Sequence, residues 1–258
     1  MLRLFRSVLF LVLALAGFSN QAFAQIVNIE ARRGNLSDTT GLFGKLGAGL
    51  NIVDNGSTVL TVHGNAQLEW LRPKTDYLLL LNYNLVRAGD NSFVNDGFMH
   101  VRYNRALSDI FTWEAYGQIQ YNERLRILFR GLLGTGPRLQ LLHGENSVAY
   151  FGLSYMYEYE EISDTSIIHR DQRMSSYVSF QINPVKSLML SGTTYFQPLL
   201  NDFSTFRLSS KTALQVAINQ RLSLVVSFSI TFDARLKEEV PDLPSRIYSI
   251  QNTLTYKF

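Results

Sequence analysis

The chain has 258 residues, with 24 Lys and Arg against 21 Asp and Glu and no cysteine. The lack of thiols excludes disulfides, thiolate chemistry and cysteine-bound zinc. Without a Lys/Arg stripe, the pI near 9.1 carries no nucleic-acid implication.

In chain order, "MLRLFR" supplies two arginines, "SVLFLVLALAGF" is an uncharged apolar run, and "SNQAFA" ends in the small-x-small pattern Ala22-Phe23-Ala24. Residues 1–24 therefore read as a secretory signal cut before Gln25. The apolar run is shorter than the roughly 20 residues of a spanning helix, and no later stretch matches it. Loss of Arg3 and Arg6 leaves 22 basic against 21 acidic residues, a nearly neutral mature chain. Residues 25–40 are polar and read as a short periplasmic lead-in, free or tucked into the lumen.

From Gly41 onward the apolar residues recur with period two, the signature of strands with one greasy and one wet face. "STVLTVHGNAQLEW" sets Leu60, Val62, Ala66, Leu68 and Trp70 against Thr61, His63, Asn65, Gln67 and Glu69. "IFTWEAYGQIQYN" sets Phe111, Trp113, Ala115, Ile119 and Tyr121 against Thr112, Glu114, Gln118, Gln120 and Asn122. "RLSLVVSFSITFDA" repeats the alternation, and "RIYSIQNTLTYKF" carries it to the last residue. About twelve such segments are counted, with no helical spacing between them. They start near Gly41, Ser57, Asp76, Gly97, Ile110, Ile127, Ser147, Met174, Ser187, Phe203, Leu222 and Ser245. Pro137, in "LLGTGPRLQLL", suggests a bulge or bend.

The connections alternate in length. "RPKT", "LSD", "HGEN", "NPVK" and "INQR" are tight, whereas "RAGDNSFVND", "YNERLR", "EISDTSIIHRDQR", "QPLLND" and "RLKEEVPDLP" are longer and charged, with "DNGS" the short exception. Long strands with short turns at one end and long loops at the other predict an all-β, transmembrane, antiparallel up-and-down barrel of about twelve strands over 41–258. Such a cylinder satisfies its own amides while its greasy face meets outer-membrane lipid. Trp113, Tyr121, Tyr155, Tyr157 and Tyr159 then fall near strand ends, where aromatic girdles sit. A soluble β-sandwich or lipocalin-like barrel shares the alternation but calls for shorter strands and a more charged opposite face.

The aromatic-ending last strand, with Tyr256 and Phe258, resembles the C-terminal targeting signal of outer-membrane proteins, read by the barrel-insertion machinery. "GFMHVRYNRAL", "TWEAYGQIQYNERLRI" and "FRGLLGTGPRLQLL" occur in an order that resembles domain-of-unknown-function family 481, whose members include salt-induced outer membrane proteins. "YMYEYEE", "TTYFQPLLNDFSTFRLS" and "SFSITFDAR" are similar to its Bacteroidetes-type branch. The resemblance implies a barrel in the outer membrane of a Gram-negative bacterium. It implies no activity and brings no catalytic residues.

If the greasy face meets lipid, the wet face lines the lumen. Glu69, His100, Arg102, Glu114, Arg130, Arg138, Arg207 and Lys211 are its candidate lumen-facing residues, together with Lys45, His63 and Asp233. Mixed charge there fits ion-pair ladders that stiffen the interior, or a field that selects small polar solutes or ions. The leading expectation is a narrow channel, and the alternative a non-conducting structural or accessory barrel with an envelope protein as partner. An outer-membrane hydrolase is the third reading. None of the four histidines has a serine two positions away; His169 and Asp171 share a face in a long outside loop, but no partner carboxylate pair across the mouth is evident, so no enzyme is expected. No cluster suggests a metal and no motif a cofactor.

Overall fold

The computed structural model describes residues 40–256, apart from 55, 57, 90, 164–166 and 237–243. The expected signal segment, nearly all of the lead-in, and Phe258 lie outside the described residues. Twelve strands follow one another: β1 (Gly41–Asp54), β2 (Thr58–Arg72), β3 (Thr75–Ala88), β4 (Asn91–Ala106), β5 (Phe111–Asn122), β6 (Ile127–Gly144), β7 (Ser147–Ile162), β8 (Ile168–Val185), β9 (Leu188–Pro198), β10 (Phe206–Ala217), β11 (Leu222–Asp233) and β12 (Arg246–Tyr256). Each pairs antiparallel with the next in an up-and-down order. The sheet curls far enough that Leu125 and Ile127, before and at the start of β6, pack against Leu236 and Ile247, before and at the start of β12. Residues six strands apart thus meet, because the sheet curls back on itself.

The alternation in the sequence is the alternation of the wall. On β4, Asp96, His100, Arg102 and Asn104 are buried, while Met99 and Val101 between them are exposed. On β7, Met156, Glu158 and Glu160 are buried and Tyr155 and Tyr157 are exposed. The exposed apolar face is extreme at Leu46, 89% exposed, and Leu133, 68% exposed. A contiguous apolar face this large needs a non-aqueous neighbour, since each such side chain gains about 1.5–3 kcal/mol on leaving water. The buried polar face points into the enclosed side.

Two connections and one expected bulge differ from expectation. "RAGDNSFVND" is almost entirely strand, because β3 runs to Ala88 and β4 begins at Asn91. Only two residues separate these strands, and Gly89 sits at φ 57° in the left-handed region that glycine enters freely. "EISDTSIIHRDQR" is likewise mostly strand, with β7 and β8 separated by 163–167. Extending these hairpins keeps backbone amides in the ladder where the sequence looks loop-like. At Pro137 there is no bulge. Thr135 pairs with Tyr155 and Arg138 with Gly152 in one unbroken register, while the irregularities lie between Ile127 and Phe129 and between Gln140 and Leu142. Gly136 absorbs the proline instead: a side chain there would sit 2.1 Å from the Leu153 carbonyl oxygen.

Candidate functional site

Strands β6, β7, β8, β10 and β11 bring inward side chains together into one charged layer. Arg207 on β10 donates from Nη1 to both carboxylate oxygens of Glu158 on β7, each at 2.6 Å. Its Nη2 reaches Glu160 at 3.1 Å, and its Nε donates to Asp233 on β11 at 2.6 Å. Arg130 on β6 donates to Glu160, and Arg173 on β8 lies 3.3 Å from Glu158. Three guanidinium groups therefore face three carboxylates, so the layer is close to neutral as well as dry. Arg130, Arg173, Glu158 and Glu160 are all fully buried. Unpaired, any one of these ions costs several kcal/mol in such surroundings, so the pairing is a condition of burial.

A second cluster lies toward the short-turn end. Glu114 on β5 accepts from the Tyr177 hydroxyl on β8 at 2.8 Å, and Arg138 and Arg102 stand 3.3 and 3.7 Å from its Oε1. Tyr177 lies flat against the wall because Gly152 opposite it has no side chain: a Cβ there would meet the ring at 2.1 Å. His100 shares a 3.0 Å hydrogen bond with Gln118 and stacks on Tyr116. Between the two clusters the free space shrinks to a cavity of about 40 Å³, bordered by Tyr116, Met156 and Tyr195. That is room for about one water.

The mouth above the layer is narrowed by the start of the β11–β12 connection, which bends inward. Arg235 donates to Asp171 on β8 and lies 3.1 Å from His169 Nδ1. The next residue, Leu236, is 5% exposed in its contact with Leu125 and Ile127. His169 and Asp171, expected in an outside loop, belong to β8. With Arg235 against both, they form an ion bridge at the mouth.

Of the eight candidate lumen residues, Arg130 and Arg207 share the central layer, and Glu114, Arg102 and Arg138 share the second cluster. His100 is buried beside that cluster, and Glu69 is buried on β2 opposite Leu78. Lys211 sits half-buried on β10 between Thr193 and Ser229. Sequence reasoning left out Glu158, Glu160 and Arg173. Parity alone places the two glutamates inward once Tyr155, Tyr157 and Tyr159 are read outward. Arg173 was hidden inside an expected loop.

The inner face of β1 and β2 differs. Lys45, His63 and Asn65 are exposed there, with Asn65 opposite Gly47 and His63 opposite Gly49. A side chain at Gly49 would overlap the His63 ring, so the glycine leaves that ring its place against the wall. Of the expected C-terminal signal, the backbone of Tyr256 pairs with Leu222 at the end of β12.

Residues 46–258 match the family model described as "Protein of unknown function, DUF481". No curated protein matches the chain. Among solved structures the chain is similar to the NanC porin, at 12% identity and a TM-score of 0.50, over 84% of this chain and 98% of that one. It is less similar to a bacterial polysaccharide outer membrane secretin, at 10% identity and a TM-score of 0.43, over 83% of this chain and 85% of that one. The translocator domain of the autotransporter NalP from Neisseria meningitidis follows at 11% and 0.36, over 84% and 87%. At 12% identity the likeness to the NanC porin is one of fold.

Proposed function

The chain belongs to the DUF481 family, and from that premise we propose that it is an outer-membrane β-barrel of a Gram-negative bacterium. It passes small polar solutes or ions along a narrow path displaced toward β1 and β2. The observation that carries this is the contrast on the inner face: the arginines and glutamates of β4 to β10 are buried and paired, with Lys211 half-buried, whereas Lys45, His63 and Asn65 stay exposed. Solvated side chains on an inward face mark where water fits. Lys45 gives that strip a basic bias, which favours anions. The export signal and the aromatic end of β12 fit delivery by the barrel-insertion machinery.

Planar-bilayer recording of the refolded barrel tests the reading. Small, discrete currents are expected, and Lys45→Glu should shift ion preference toward cations. Folded protein that carries no current would overturn it. The buried ionic layer favours a second reading, a non-conducting accessory barrel, which predicts that silence together with a stoichiometric envelope partner.

A further inference from the structure

The outer wall carries a concave apolar depression of about 770 Å³ on the face of β1 to β7. Its floor is set by the small residues Ala115 and Gly117 on β5, with Thr135 and the projecting Leu133 of β6 alongside. One bank is an aromatic row, Trp70 stacked on Tyr77 with ring centroids at 5.3 Å, and Tyr77 against Tyr103 at 5.1 Å. The other bank is Tyr155 and Tyr157. An outward barrel face is normally convex, and a trough between two aromatic banks is a shape that holds chains rather than merely facing them.

One rung toward the short turns, the same outward face becomes cationic. Arg72 on β2 pairs with Thr75 on β3, which pairs with Arg105 on β4. Two strand spacings of about 4.8 Å separate the arginine backbones, so both guanidinium groups can converge over the Thr75 hydroxyl. Arg72 and Arg105 are exposed, and Arg72 rests over the Trp70 ring at 4.1 Å. Arg105 makes no ion pair with another described residue. Lys74 adds a third positive charge in the adjoining turn. Two carboxylates lie nearby: Asp76 accepts from inward-facing Asn104 at 2.6 Å, and Asp109 sits exposed in the next turn. The outward rung is net positive.

A cationic rung at the membrane boundary below a greasy trough matches one amphiphile in charge and in shape. We infer that this face binds an anionic phospholipid of the inner leaflet. Its phosphate sits between Arg72, Thr75 and Arg105, and its acyl chains lie in the depression over Ala115 and Gly117. Guanidinium groups are suited to phosphate because their donors form a planar fork. The inference rests on the membrane reading proposed above, with the short turns on the periplasmic side.

Native mass spectrometry of the refolded mature barrel, offered phosphatidylglycerol, phosphatidylcholine and lipid A in equal amounts, tests it. One phosphatidylglycerol should stay on each barrel, retained at least tenfold over phosphatidylcholine and over lipid A. The double variant Arg72→Gln/Arg105→Gln should lose that preference. Ala115→Phe, which fills the trough from outside, should lower retention by a similar factor. Equal retention of the lipids, a preference for lipid A, unchanged binding in both variants, or a dimer in place of the lipid adduct would overturn the site. The two levels separate cleanly. A heat-modifiable, detergent-dependent barrel without lipid preference removes the site alone, whereas a chain that is compact and monomeric without detergent removes the membrane reading and the site with it.

Discussion

The Arg207 guanidinium on β10 is bound to the Glu158 carboxylate on β7, past β8 and β9, with both carboxylate oxygens 2.6 Å from Nη1. The bond ties two walls of the barrel that share no ladder hydrogen bonds. Its neighbours Glu160 and Asp233 bind the same guanidinium, so one side chain organises the whole layer.

Arg207→Met leaves three carboxylates against only two guanidinium groups, Arg130 and Arg173, in a dry interior. Removing one partner of a buried pair costs about 3–5 kcal/mol. The variant should unfold at markedly lower urea than wild type when both are followed by gel mobility in lipid vesicles. Adding Asp233→Asn should restore part of the loss, since it returns the layer to two guanidinium groups against two carboxylates. No restoration would mean that Arg207 acts through packing rather than pairing.

Tyr177 links β8 to β5 through its hydroxyl on Glu114. A hydrogen bond to a charged acceptor is worth about 1.5–3 kcal/mol, and Tyr177→Phe should lower unfolding stability within that range. Gly152→Ala should do at least as much, because its Cβ would overlap the Tyr177 ring and push it off the wall. Combining the two changes should give less than the sum of their separate costs.

The inward bend at Arg235 and Leu236 narrows the mouth. Leu236→Asp places a charge in the apolar contact with Leu125 and Ile127, and Asp171→Asn weakens the hold on Arg235. Together they should free the bend and raise single-channel current in planar bilayers. A current equal to that of wild type would show that the narrow point lies deeper, at the Arg207 layer.

The absence of native cysteine allows a direct map of the water path. His63→Cys and Asn65→Cys should react rapidly with a charged thiol reagent in the folded barrel. Ser175→Cys and Thr231→Cys, at sites 3% and 2% exposed, should stay unlabelled until unfolding. Equal labelling of all four would contradict a path confined to β1 and β2.

In the β9–β10 connection, Asp202 accepts from the Ser204 hydroxyl, the Thr205 hydroxyl and the Ser204 amide. These bonds hold its carboxyl below the ordinary aspartate value. A depressed folded value means the stabilisation is complete above the unfolded value and is lost as pH falls through the folded one. Hydrogen exchange at the Ser204 amide should therefore quicken, relative to its intrinsic rate, only at acidic pH. Asp202→Asn should remove that pH dependence.

Strand number, the two faces of the wall and the tight turns were legible in the sequence because each depends on neighbours in the chain. Period two sets which side Glu114 or Trp113 takes, whatever the rest of the barrel does. The same rule holds for Glu158 and Glu160, hidden only by the tyrosines between them. Which inward charges meet was not legible. Glu158 and Arg207 are 49 positions apart, and their contact depends on how strongly the wall is curved. The inward turn of Arg235 and Leu236 likewise depends on Asp171 and Leu125 standing across the mouth. Alternation is a local property of one strand; a cross-section belongs to all twelve together, and so only the assembled barrel decided where its interior is filled.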